Sequence, residues 1–248
     1  MKVLAALVLA AWPALAAAQL FEFRRDLAFS EQEVVRAGEA AYRQRVEALR
    51  TAVALDRDAT LAARAEAVLA RLVVAAEAER PGAGRLAWEL HLSDSPEDNA
   101  AAMAGGKLLV SAPFVRSLAL DDDELACLLA HEVAHVVAEH ARESATAALA
   151  FVPKRRYRSY VDVQDELDSS LSLALKLQHV QAAQELEADF IGTVLAARAG
   201  YDPAAMLSLL RKLGEEDVPS IVRTHAPPSE RLAQARRTLP IARAAAGR

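Results

Sequence analysis

The chain has 248 residues, enough for one large domain or two small ones, and 53% of them are hydrophobic, which suffices for a buried core. With 29 Lys and Arg against 34 Asp and Glu, the net charge is −5, so the domain-wide basic balance expected of a nucleic-acid binder is excluded. A lone cysteine, Cys127, rules out an intramolecular disulfide, and its neighbours Leu125, Ala126, Leu128 and Leu129 point to a buried apolar thiol.

The chain opens with Met1-Lys2, an apolar run over residues 3–15 and the small residues Ala16, Ala17 and Ala18. This is the pattern of a cleavable export signal over residues 1–18, because the apolar run is shorter than the ~20 residues a membrane span needs. The domain then spans residues 19–248. An exported chain without disulfides fits a bacterial periplasm, and no cysteine near the cleavage site is present to carry a lipid anchor.

Residues 30–49 read as a helix, with Ser30 as N-cap and Glu33 three residues on. Residues 58–79 read as a second amphipathic helix, ended by Pro81-Gly82-Ala83-Gly84. Residues 86–92 alternate enough for a strand. Residues 99–110 read as two short strands joined at Gly105-Gly106. A helix with an acidic start at Asp121 or Asp122 runs to about residue 147. The basic cluster Lys154-Arg155-Arg156-Tyr157-Arg158 reads as a solvated loop or helix start. Residues 161–199 are helical, with a break inside, and Gly200 ends them. Residues 171–177 carry an apolar stripe that could form a lid, although such a stripe is more often core. A short helix over 203–216, a loop over 219–228 and a last helix to about 243 complete a mainly α (α+β) fold. It is a single helical domain with a small sheet.

The chemistry is concentrated in His131-Glu132-Val133-Ala134-His135 and Glu185-Leu186-Glu187-Ala188-Asp189. At about 100° per residue, His131 and His135 lie ~40° apart on one helix face, so two imidazoles one turn apart can grip one ion. Glu132 lies beside that face, where it can reach a water on the metal rather than the metal itself, the arrangement of a zinc hydrolase. Catalytic zinc takes a third protein ligand. On an unbroken helix His140, nine residues after His131, would face about 180° away. Glu185 is the better candidate. Glu185 and Asp189 share a face at i, i+4, so one can ligate while the other orients an imidazole, whereas Glu187 points about 200° away.

These motifs, with Val136, His140 and the later Thr224-His225-Ala226-Pro227 and Arg231, resemble the gluzincin metallopeptidase family that contains the CaaX prenyl endopeptidases, HtpX and the BepA-like periplasmic zinc proteases. The likeness spans roughly residues 60 to 240 at the level of motifs in order, and the chain looks like a stand-alone soluble member. The resemblance implies one zinc ion held by His131, His135 and Glu185, with Glu132 as general base and Asp189 supporting a ligand. It implies that His225 lies near the metal, either polarising the tetrahedral intermediate or closing the fourth position, with Arg231 as electrostatic support. Ala226 stands where the family often has Pro directly after that His. Residues 99–110 would pair with an extended protein or peptide substrate. The implied function is an exported zinc endopeptidase in envelope protein quality control or assembly, with outer-membrane or envelope proteins as clients. The alternative is a chaperone or assembly factor whose zinc site is held shut by His225.

Overall fold

The computed structural model describes residues 26–152, 159–215 and 228–247. Residues 1–18, expected to be an export signal, the basic cluster at 154–158 and His225 fall outside the described residues. Helix α1 (Glu31–Thr51) and helix α2 (Ala59–Glu79) lead into a short 3-10 turn (Ala83–Arg85) and three strands, β1 (Glu89–Ser93), β2 (Ala100–Met103) and β3 (Lys107–Ser111). Then come α3 (Ala112–Ser117), α4 (Asp122–Val137), α5 (His140–Ala148), α6 (Tyr160–Ser169), α7 (Leu171–Arg198), α8 (Ala205–Glu215) and α9 (Pro228–Ala246). The fold is mainly helical with one small sheet, as the sequence pattern requires.

Local chemistry places most element starts. Ser30 accepts from the Glu33 amide at the start of α1, and Asp58 accepts from the Leu61 amide at the start of α2. Glu33 does not turn back to its own cap. Its carboxylate accepts from the Tyr160 amide at 2.9 Å and ties α1 to the start of α6. Helix α4 begins with a reciprocal capping box between Asp121 and Glu124. The break expected within residues 161–199 sits at Ser170, whose hydroxyl accepts from the Leu173 amide and starts α7.

The sheet has the order β1-β3-β2. Central β3 runs parallel to β1 and antiparallel to β2, and all five of its residues are buried. The β2–β3 turn takes three residues, 104–106, because Met103 pairs with Lys107. Gly105 and Gly106 both adopt positive φ, and a Cβ on Gly106 would lie 2.9 Å from the Trp88 ring. The strand expected from residue 86 starts only at Glu89. Trp88 Nε1 donates instead to the Ala83 carbonyl and folds this stretch back onto the 3-10 turn. β2 is left as an edge strand.

Helix α4 is buried almost all round, with Leu125, Ala126, Cys127, Leu129, Ala130, Val133 and Ala134 fully enclosed between α2, α7, α8 and β2. Burial pushes the Cys127 thiol pKa up, so it packs as a small apolar side chain. A second cluster joins α1, α5, α6 and the first half of α7 through Val34, Ala145, Tyr160, Val163, Leu173 and Leu177. The apolar stripe at 171–177 is thus partly core: Leu173 and Leu177 are buried, while Leu171 and Leu175 are exposed. Among the described residues, no helix is long and apolar enough to cross a membrane.

One expectation is overturned. The helix beginning at Asp122 does not run to residue 147; it ends at Val137, and α5 starts afresh at His140. Glu139 between them adopts a left-handed φ of 58°. For a residue with a Cβ this costs on the order of 1–3 kcal/mol and needs support from its surroundings. Arg80, the residue that caps the end of α2, supplies it. Its guanidinium donates to the Val137 carbonyl at 2.5 Å and pairs with the Glu139 carboxylate at 3.3 Å.

Helices α4 and α7 cross at Gly192, where an added Cβ would sit 2.8 Å from the His131 nitrogen and 3.0 Å from the Ala130 carbonyl carbon. Alanine is ordinarily better than glycine inside a helix by about 0.5–1 kcal/mol. Here the clash is with backbone, and overpacking costs about 1–3 kcal/mol. Gly192→Ala is therefore expected to lower the stability measured by denaturant unfolding; a variant as stable as the parent or more so would refute this close packing.

Candidate metal centre

Helix α4 contributes His131 and His135, α7 contributes Glu185 and Asp189, and α9 contributes Arg231. The two histidine rings stand nearly perpendicular, at 75°, with their Nε2 atoms 3.1 Å apart. The Glu185 carboxylate closes the triangle. Its Oε2 lies 3.5 Å from His131 Nε2, and its Oε1 lies 3.4 Å from His135 Nε2. Among the described residues, these three form the group whose donor atoms converge closely enough to hold a metal ion. Ligands at ordinary zinc bond lengths around a tetrahedral ion stand about 3.3–3.4 Å from one another, so the donor spacing and the two-imidazole, one-carboxylate set both fit zinc.

Asp189 lies one turn beyond Glu185 and is completely buried. Its Oδ1 is 3.0 Å from His131 Nδ1, so it holds the ring by the nitrogen that faces away from the triangle. Arg231 grips the same carboxylate with two bonds, Nε to Oδ2 and Nη2 to Oδ1, each 2.7 Å, while Nη1 lies 3.3 Å from Glu185 Oε2. Burial alone would raise the Asp189 pKa, but Arg231 and then His131 hold it below the ordinary value. Burial likewise disfavours a charged His131, yet hydrogen bonds to Asp189 and Glu185 lift its pKa to about 10. The two carboxylates thus favour positive charge at this point, the same preference that a divalent cation satisfies.

Glu132, 8% exposed, lies on the wall of the cleft that these residues open into. The cleft encloses about 370 Å³. Its opposite walls are the β2 segment from Ala100 to Met103 and the start of α1, where Glu31, Val34 and Val35 face inward.

The structure therefore brings together His131, His135 and Glu185, with Asp189 and Arg231 behind them and Glu132 beside them; His225 lies outside the described residues. His140 does not face away. Because the helix breaks at Glu139, His140 turns back and sets its Nδ1 2.8 Å from His135 Nδ1, with only 3% of its surface exposed. Burial holds its imidazole pKa below the ordinary value despite the pull of Glu187. Glu187 points away from the triangle, its Oε2 3.4 Å from His140 Nε2.

Several supporting residues carry no sequence signal of their own. Buried Gln184 donates to the His140 carbonyl and the Glu143 carboxylate and accepts from Ser144, which pins α5 onto α7. Arg80 acts across α2 on a helix break that neither glycine nor proline announces. Gly192 could have been suspected only from its place seven residues after Glu185, on the same helix face.

The sequence profile described as peptidase family M48 matches residues 59–239. The chain is similar to mitochondrial metalloendopeptidase OMA1 of Arabidopsis thaliana, at 32% identity over 52% of this chain and 26% of that protein. It is also similar to the human mitochondrial metalloendopeptidase OMA1, at 28% identity over 64% of this chain and 34% of the relative. A third relative is the beta-barrel assembly-enhancing protease of Escherichia coli K12, at 27% identity over 60% of this chain and 34% of the relative. The chain thus spans about a quarter to a third of the length of these proteins. Helix α1, which walls the cleft, precedes the span that the family profile matches.

Replacing Asp189 with Asn keeps its volume but removes the charge that Arg231 and His131 share. Breaking a buried ion pair on one side costs about 3–5 kcal/mol, and losing the partner of a ligating imidazole weakens metal binding by about 10–100-fold. Asp189→Asn is expected to show both losses in denaturant unfolding and in zinc competition against a chromophoric chelator. Unchanged stability and affinity would contradict the geometry.

Proposed function

The chain belongs to peptidase family M48, and we propose that it is a zinc-dependent endopeptidase in which His131, His135 and Glu185 hold a single ion and Glu132 is the general base. The observation that carries this reading is the convergence of His131 Nε2 and His135 Nε2, 3.1 Å apart, on a Glu185 carboxylate whose Oε2 and Oε1 lie 3.5 and 3.4 Å from them, on the wall of a cleft of about 370 Å³.

A bound zinc supplies Lewis acidity, which acidifies water and polarises a carbonyl. The residues of the chain do the rest. The Glu132 carboxylate takes a proton from the attacking water and delivers it to the nitrogen of the departing amine. Asp189 keeps His131 in the orientation that turns Nε2 toward the ion, and Arg231 keeps Asp189 ionised and in place. The substrate lies extended along β2, whose outer edge offers backbone donors and acceptors to a further strand. Ala100, Ala101 and Ala102 present little bulk there, which suits cleavage that tolerates many side chains.

The place of action that fits best is the bacterial envelope, with periplasmic release after removal of residues 1–18 and envelope or outer-membrane proteins as clients. The leader-like composition of residues 1–18 supports export. The likeness to the beta-barrel assembly-enhancing proteases of Escherichia coli and Yersinia pestis supports the choice of clients. The OMA1 relatives carry a mitochondrial name, so similarity of the peptidase core by itself does not select a compartment.

On an unfolded protein substrate, Glu132→Gln is expected to retain zinc and to lose on the order of 10²–10⁴-fold in kcat, the usual contribution of a general base. Equal cleavage by both proteins, insensitive to chelator, would rule out the mechanism. Fractionation of expressing bacteria should place a mature protein beginning at Gln19 in the periplasm; an unprocessed cytoplasmic product would overturn the assignment of compartment.

A further inference from the structure

His140 stands outside the three-donor triangle, and the function proposed above gives it no task. It is nevertheless buried directly behind His135, in a position that a helix break at Glu139 creates. The inference that follows rests on His135 being a metal ligand.

Two imidazole nitrogens 2.8 Å apart must share one proton: two lone pairs would repel, and two N–H groups would collide. His135 Nε2 faces His131 Nε2 and Glu185 Oε1, so as a ligand it must keep its lone pair for the ion. A neutral imidazole carries one N–H, which for His135 is then on Nδ1. His140 Nδ1 is therefore the acceptor. The single N–H of a neutral His140 must lie on Nε2, where Glu187 Oε2 stands at 3.4 Å to receive it. We propose that His140 is a positioning residue for the metal centre: it accepts the Nδ1 proton of His135 and, backed by Glu187, fixes the tautomer and ring orientation of that ligand.

The two histidine ligands are then held in different ways. A buried, ionised carboxylate, Asp189, grips His131 directly. His135 is held by a neutral imidazole, with the carboxylate one ring further out, on a side chain 43% exposed. A ligating imidazole ordinarily gives its other N–H to a carboxylate, carbonyl or water, and an imidazole acceptor serves the same purpose while adding no charge next to the ion. The fold invests in this arrangement. Gln184 on α7 holds the His140 carbonyl, and Arg80 supports the left-handed Glu139 that lets α5 start at His140.

The test combines zinc competition with 15N-histidine NMR on the purified zinc-loaded protein. In the spectra His135 should carry its proton on Nδ1 and show a scalar coupling across the hydrogen bond to His140 Nδ1, and His140 should be protonated on Nε2. Finding His140 protonated on Nδ1, or no coupling between the two rings, would overturn the proposal. In the affinity arm, His140→Ala should bind zinc about 10–100-fold more weakly. His140→Asn, whose amide oxygen can stand where Nδ1 stood, should recover most of that loss. Glu187→Ala, at a half-exposed position that the core does not depend on, should lose affinity several-fold, and Glu187→Gln should lose less. Should His140→Ala fail to fold, Glu187→Ala and the wild-type spectra decide the matter. Zinc affinity unchanged in both alanine variants would refute the relay. His135→Ala separates the two levels: if it binds zinc like the parent, the ligand assignment itself fails, whereas loss in His135→Ala with no effect at His140 and Glu187 removes only the positioning role.

Discussion

The closeness of α4 and α7 at a single glycine is the constraint on which the centre depends. Gly192 lets the backbone of α7 rest against that of α4 at Ala130 and His131. Glu185, Asp189 and Gly192 are spaced i, i+4 and i+7, so they project from one face of α7. One face thus presents a carboxylate for the triangle, a carboxylate for the back of His131 and the bare contact that sets the depth of both. Side-chain reach is short. A shift of α7 by the width of a methyl group would lengthen the 3.0 Å Asp189–His131 bond and the 3.4–3.5 Å Glu185 contacts together.

Charge burial is the second constraint. Asp189 is wholly removed from water, and Arg231, Glu185 and His131 are nearly so. Such groups cost several kcal/mol each to desolvate, and pairing does no more than return that cost. A purely structural core would do better with apolar side chains of the same size. Arg231 comes from α9, after a stretch that lies outside the described residues, so the last helix of the domain reaches back to its centre. The arrangement is intelligible as an electrostatic frame that orients His131 and Glu185, with stability as a secondary consequence.

His140 shows how far a periodicity argument reaches. Counting residues at 100° each predicts that it faces away from His131, and the arithmetic is sound for the helix it assumes. The helix stops three residues earlier, at Val137. Nothing in Val137-Ala138-Glu139 announces the stop, since neither glycine nor proline is present. Its cause is Arg80, 57 residues away in sequence, which caps the carbonyl end of α4 and pairs with Glu139. The start of β1 moved for a nearer cause, the Trp88 side chain bonding to the Ala83 carbonyl five residues back in the 3-10 turn. Local features were legible because their causes are local: Ser30, Asp58 and Asp121 cap helices through bonds to amides three residues on.

By itself, the sequence determined the helical class, most element boundaries and the pairing of His131 with His135, because each follows from spacing along one helix or from a side chain and a nearby amide. It also pointed to Glu185 and Asp189 as a coupled pair, since positions four apart must share a face. Only the tertiary structure decided that both carboxylates meet the histidines, that Arg231 clamps Asp189 and that His140 turns back on His135. Those relations join α4, α5, α7 and α9 across separations of up to 58 residues. They depend on where helices cross and break, which is set by packing at Gly192 and by the reach of Arg80 rather than by any repeating pattern in the chain.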